Sequence, residues 1–166
     1  GVDVAARRAF YVTQGSLTVW WNRPDAATSS HRFADSDEGL REFDAYLSSE
    51  PDQASVVLVD VIEEEFSTDS LPKLGLRDRK ALLQRRVERK YPRTHYRLPV
   101  FLGRDARSDE HSTVVYSAIT NHELLDPWLR IAQRHSTPLI GIYSVPLLAP
   151  SVFGRSHRSR KPMLLL

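Results

Sequence analysis

The run VVLVDVI (Val56–Ile62) constrains this chain most, because in an extended conformation it is apolar on both faces and broken only by Asp60. Successive side chains of a strand point to opposite faces, so a strand at a sheet surface alternates apolar with polar. One that is apolar throughout needs a neighbour on each side and cover on each face. Val56–Ile62 therefore reads as the central strand of a sheet. Downstream, a helix runs from Arg77 to about Tyr91, with Leu83, Val87 and Tyr91 at four-residue steps and Pro92 as its stop. Two β-rich runs follow, Tyr96–Gly103 and Thr113–Thr120, then a helix within Asn121–Ser136 and a last strand, Leu139–Val145. Strand, helix, hairpin, helix and strand in this order specify an α/β subdomain.

Upstream, Ala9–Val12 and Leu17–Trp21 are β-rich runs separated by Thr13-Gln14-Gly15-Ser16, read as a four-residue hairpin turn. Ser30–Phe33 reads as a third short strand after a loop carrying Pro24. Asp35 followed three residues later by Glu38 has capping-box spacing, and Leu40, Phe43 and Leu47 mark the buried face of the helix it opens, with Pro51 as its stop. Glu63–Phe66, Leu71-Pro72 and Gly75 read as a charged run and a loop. Arg104–Ser112 reads as a mobile hairpin loop. The last helix has two candidate starts, the capping box Thr120/Glu123 and the pair Asp126-Pro127, and its apolar face is Leu124, Leu125, Trp128, Ile131 and Ala132.

The 166 residues fit one domain or two small subdomains sharing a core. The absence of cysteine excludes disulfides, thiolate nucleophiles and Cys-based zinc sites. No apolar run approaches the roughly 20 residues of a membrane span. The chain starts without a secretory leader pattern. With 23 basic against 21 acidic residues the net charge is only +2, a weak attraction for nucleic acid. Arg77–Arg93 is strongly basic, but no stacking aromatics interleave it, which favours a solvated or protein-docking face over nucleic acid. Glu63-Glu64-Glu65 reads as a charge run facing that helix rather than a metal cluster. The six histidines never adopt metal-ligand spacing, and no G-x-S-x-G elbow occurs. Of Trp20-Trp21, alternation sends one inward and leaves the other as a docking candidate.

The element order resembles a known family. The residues that carry it are Leu71-Pro72, the helix Arg77–Tyr91 closed by Pro92, Val114-Val115-Tyr116-Ser117-Ala118 and Leu139–Val145. Across about residues 9–150 this is similar to the N-terminal part of bacterial actin-like proteins of the PilM and FtsA kind. Its nearest likeness is to type IV pilus and MSHA-pilus assembly proteins, with the cytoplasmic domain of the type II secretion L component as a cousin. The resemblance implies an α/β fold of ribonuclease H-like or actin-like type: a β-hairpin start and a mixed sheet with three helices. It divides the chain into residues 9–50 (part of the first subdomain), 54–150 (an inserted α/β subdomain) and 151–166 (a basic tail or the start of a missing lobe).

In that family the first hairpin is a phosphate-binding loop that usually carries an Asp. The matching cofactor-binding residues are Thr13, Gln14, Gly15 and Ser16, where Thr13 or Gln14 replaces the acid and leaves a degenerate loop. The resemblance implies no cofactor for these residues alone, and ATP with Mg in a longer protein. It implies a non-catalytic scaffold of a pilus or type II secretion inner-membrane platform, cytoplasmic and peripheral to the membrane. Partners are then proteins of that platform, with Arg85, Arg86, Arg89 and Trp21 as interaction residues and self-association open. The rival readings are a ribonuclease H-like metal-dependent nuclease and a free-standing adaptor. The nuclease needs three or four convergent carboxylates, and none stands between Ala5 and Pro24.

Overall fold

A computed structural model describes residues 8–22, 26–50, 53–105 and 108–148. The expectations for Pro24, Pro51 and the segment 151–166 lie outside them. In chain order the elements are β1 (Arg8–Thr13), β2 (Ser16–Trp21), β3 (Ser29–Ala34), α1 (Asp37–Ser49), β4 (Ser55–Asp60), β5 (Glu64–Pro72), α2 (Leu76–Lys90), β6 (Arg97–Asp105), β7 (Ser108–Ile119), a 3-10 turn (His122–Leu124), α3 (Asp126–Arg134) and β8 (Leu139–Ser144). They form two compact units, one from residues 8–62 and 123–148 and the other from 63–122.

The first unit is built on a five-stranded mixed sheet of order β3-β2-β1-β4-β8. The β1–β2 and β2–β3 pairs are antiparallel, and β4 is parallel to both β1 and β8. Val56–Asp60 of the apolar run thus lie in an interior strand, whereas Val61 and Ile62 fall beyond its end and Ile62 is exposed. On one face Phe10, Val12, Leu17, Val19, Phe33, Val57, Val59 and Ile142 are buried. Phe43 of α1 sits edge-on to Phe10 and Phe33 at 5.5 and 5.3 Å, and Trp128 of α3 closes on Phe43 at 5.5 Å. The opposite face is less covered than the two-sided apolar run predicts. Ala9, Tyr11, Thr18, Val56, Leu58 and Tyr143 share it by register and are only half-buried.

α1 is capped by Ser36, whose Oγ accepts from the Gly39 N–H at 3.1 Å, so the cap stands one residue beyond the expected Asp35. α3 starts at the second of its two candidate positions, with Pro127 in its first turn, where a missing N–H costs no helix bond. The capping-box spacing upstream ends instead in the 3-10 turn.

The second unit is an antiparallel sheet of order β5-β7-β6 with α2 packed on it. Leu83, Val87 and Tyr91 meet Leu71, Val114, Tyr116 and Ala118 in one core cluster, as the four-residue spacing predicts. Two expectations fail here. Glu63–Pro72 is not a charged run and a loop: nine residues of it form edge strand β5, and Leu71-Pro72 closes that strand opposite Ser112 and His111. Only Glu64 and Leu71 of β5 are buried. Ser67, Asp69 and Leu71 alternate with exposed Thr68, Ser70 and Pro72, but two of the three inward residues are polar, so no apolar alternation marks the strand in the sequence. Nor are Arg104, Asp105 and Ser108–Ser112 a loop, because the β6–β7 ladder continues through Arg104↔Ser112 and Asp105↔Ser108 with two register shifts.

Candidate functional site

The β1–β2 turn is tighter than four residues. Thr13 pairs with Ser16, leaving Gln14 and Gly15 as the turn. Gly15 has φ +78°, a backbone conformation other residues adopt only with strain, and open space surrounds the position of its missing Cβ. Its carbonyl accepts from the Asp35 N–H at 2.9 Å, while Thr13 Oγ1 and Ser16 Oγ lie 3.0 Å apart. Parallel register sets Asp60, the last residue of β4, beside Thr13. The Tyr11 hydroxyl donates to Asp60 Oδ2 at 2.8 Å, and that hydrogen bond holds the phenol pKa above its ordinary value.

Thr13, Gln14, Gly15 and Ser16 therefore stand together as expected. They lie at the carboxyl ends of parallel strands, where open α/β sheets hold ligands. Asp35 and Asp60 beside them are not found by looking for an acid on the first strand. The signal for Asp60 is the single polar break at the end of an otherwise apolar strand.

The second candidate surface is the exposed side of α2, where Arg85 and Arg89 are solvent-facing. Arg86 is different. Its Nη1 donates to Asp69 Oδ2 at 2.6 Å and to the Ser70 carbonyl at 3.2 Å, and the Tyr116 hydroxyl donates to the same Asp69 oxygen at 3.2 Å. Burial disfavours the Asp69 charge, but the bonds from Arg86, the Ser70 N–H and Tyr116 outweigh it and hold the carboxyl below its usual range. Burial and then the Asp69 charge push the Tyr116 phenol up. Asp69 is the acid that Arg86 of the basic helix meets, rather than the expected Glu63–Glu65. Glu64 points into the sheet, where its Oε1 accepts from Ser117 Oγ at 2.5 Å.

The tryptophan assignment is reversed. Trp21 is 5% exposed and Trp20 is 52% exposed, so Trp20 is the outward member. The parity is legible, since Leu17, Val19 and Trp21 share the apolar face of β2 and Trp20 shares the face of Thr18. Trp21 also lies 5.4 Å from the guanidinium of Arg8, a buried cation whose Nε donates to Ser55 Oγ at 2.8 Å. Among the described residues no three carboxylates or imidazoles converge, and no helix is long and apolar enough to cross a membrane.

No family model and no curated protein matches the chain by sequence. Solved structures do match by fold. One belongs to the PilM–PilN type IV pilus biogenesis complex, with a TM-score of 0.58 and 13% identity over 89% of this chain and 50% of that one. Another is the cytoplasmic domain of EpsL, an inner-membrane component of the Vibrio cholerae type II secretion system, with a TM-score of 0.50 and 16% identity over 86% of this chain and 58% of that one. The chain therefore spans about half the length of these neighbours and shares their fold over the aligned part.

Proposed function

We propose that this chain is the actin-like lobe of an assembly component of a type IV pilus-like or type II secretion platform, working at the cytoplasmic side of the inner membrane. In this reading it holds protein partners and does not turn over nucleotide. The carrying observation is the first hairpin. It closes in a two-residue turn at Gln14-Gly15, but β1 brings no carboxylate, and the hydroxyls of Thr13 and Ser16 face each other. A Mg–phosphate group needs charge to hold the metal's water shell. The acids that flank the turn belong to the end of β4 and to the residue after β3, and Asp60 already takes the Tyr11 proton donor. These residues do not fit a metal–nucleotide site by themselves. The likeness to lobes from a pilus complex and a secretion component supports the placement in such a platform. MSHA-type pili belong to the same proposal.

Arg85, Arg89 and Trp20 are the docking groups of this reading, since they are exposed and of residue types enriched at interfaces. Calorimetric titration of the chain with Mg-ATP tests the nucleotide half. The expected result is no saturable heat at micromolar nucleotide and no phosphate release. Micromolar binding would overturn it.

A further inference from the structure

The first unit carries a basic groove on the helical side of its sheet, unrelated to the hairpin turn. It is an open trough of about 820 Å³ between α1 and α3, lined by Leu40, Arg41 and Asp44 from one helix and Pro127, Arg130, Ile131 and Arg134 from the other. Leu40, Pro127 and Ile131 form an aliphatic floor, and the three arginines form the rim. Asp44 is the acid among the lining residues and is already shared: His135 Nε2 lies 2.7 Å and Arg134 Nη2 3.3 Å from its Oδ1. Arg41 and Arg130 pair with no carboxylate among the described residues. Positive charge is thus left unbalanced around an apolar strip.

The geometry points to a docking site for an acidic partner segment that carries an aliphatic anchor. We infer that the anchor lies on Leu40, Pro127 and Ile131, while carboxylates on either side of it meet Arg41, Arg130 and Arg134. Arginine suits this task because its planar fork pairs with a carboxylate through two parallel hydrogen bonds. The α3 residues that line the groove run from Pro127 to Arg134, about 11 Å along the helix axis. That length admits two turns of helix, or about three residues of extended chain at about 3.3 Å each. Nucleic acid fits it less well, since a phosphate backbone wants a longer basic track and stacking aromatics rather than an aliphatic floor.

A fluorescein-labelled peptide of alternating Leu-Glu-Glu triplets, titrated into the full chain and followed by anisotropy, tests the site. The expected result is saturable binding that weakens with added salt and weakens at least tenfold in the variant Arg41→Glu/Arg130→Glu. The melting temperature should stay unchanged, because both side chains are exposed. The variant Lys73→Glu/Arg77→Glu makes the same charge change in the other unit and should bind like the parent. No binding by the parent chain, or equal weakening in both variants, would overturn the inference. Two further outcomes would also overturn it: Arg41 and Arg130 acting only on anionic phosphatidylglycerol vesicles, or only on self-association in sedimentation.

Discussion

Arg86 and its neighbours on α2 give the sharpest test, because three arginines within five residues are predicted to behave differently. Arg85 and Arg89 are exposed, and reversing exposed charges away from any partner changes stability by less than about 0.5 kcal/mol. Arg86 holds the Asp69 carboxylate at 2.6 Å and the Ser70 carbonyl at 3.2 Å, with side-chain exposures of 28% for Arg86 and 38% for Asp69. A charge-assisted bond in a buried site contributes about 1.5–3 kcal/mol. Screening at this exposure brings the expectation for Arg86→Ala down to about 1 kcal/mol. In a chain of this size that corresponds to a fall of about 2–4 °C in melting temperature.

The double variant Arg85→Glu/Arg89→Glu should melt with the parent and lose partner binding, which separates docking from folding. Adding Arg86→Glu would set a carboxylate beside Asp69 and cost stability for a reason unrelated to partners. Urea titrations of Arg86→Ala, Asp69→Ala and the double variant give the coupling, expected at about 0.5–1 kcal/mol at neutral pH. Because folding lowers the Asp69 pKa, the unfolded chain takes up that proton first as pH falls. The contribution is therefore complete above the ordinary carboxylate range and disappears as pH falls through the lowered value. A coupling near zero at neutral pH, or one that grows in acid, would refute the reasoning.

Phe43→Ala removes a fully buried ring held edge-on by Phe10, Phe33 and Trp128, and should cost about 3–5 kcal/mol in urea unfolding. Gly39→Ala should destabilise although alanine is the better helix former by roughly 1 kcal/mol. The new Cβ would stand 1.9 Å from the Ala34 carbonyl oxygen, so the sign of the change in urea midpoint is the test. Trp20→Ser should leave the unfolding free energy nearly unchanged while Trp21→Ala lowers it by about 3 kcal/mol or more, and equal effects would contradict their assignment to opposite faces.

The sequence by itself determined whatever repeats with a structural period. Val56–Ile62 announces an interior strand because it is apolar at both parities. Leu83, Val87 and Tyr91 define the buried stripe of α2, and Trp128, Ile131 and Ala132 that of α3, because desolvation selects apolar residues at helical spacing. The parity of Leu17 and Val19 even separates Trp21 from Trp20. Tertiary structure decided the rest. β5 is a strand through its backbone bonds to β7, and because the inward positions Ser67 and Asp69 are polar, its alternation leaves no apolar trace in the sequence. The two-residue turn at Gln14-Gly15 follows from the register of β1 on β2, with Gly15 supplying the positive φ that the turn needs. Asp69 reached Arg86, and Asp44 reached His135, across 17 and 91 residues of chain. The groove arginines likewise come from helices far apart in sequence. Burial is imposed residue by residue and is written as pattern, whereas charges converge only where the folded backbone carries them.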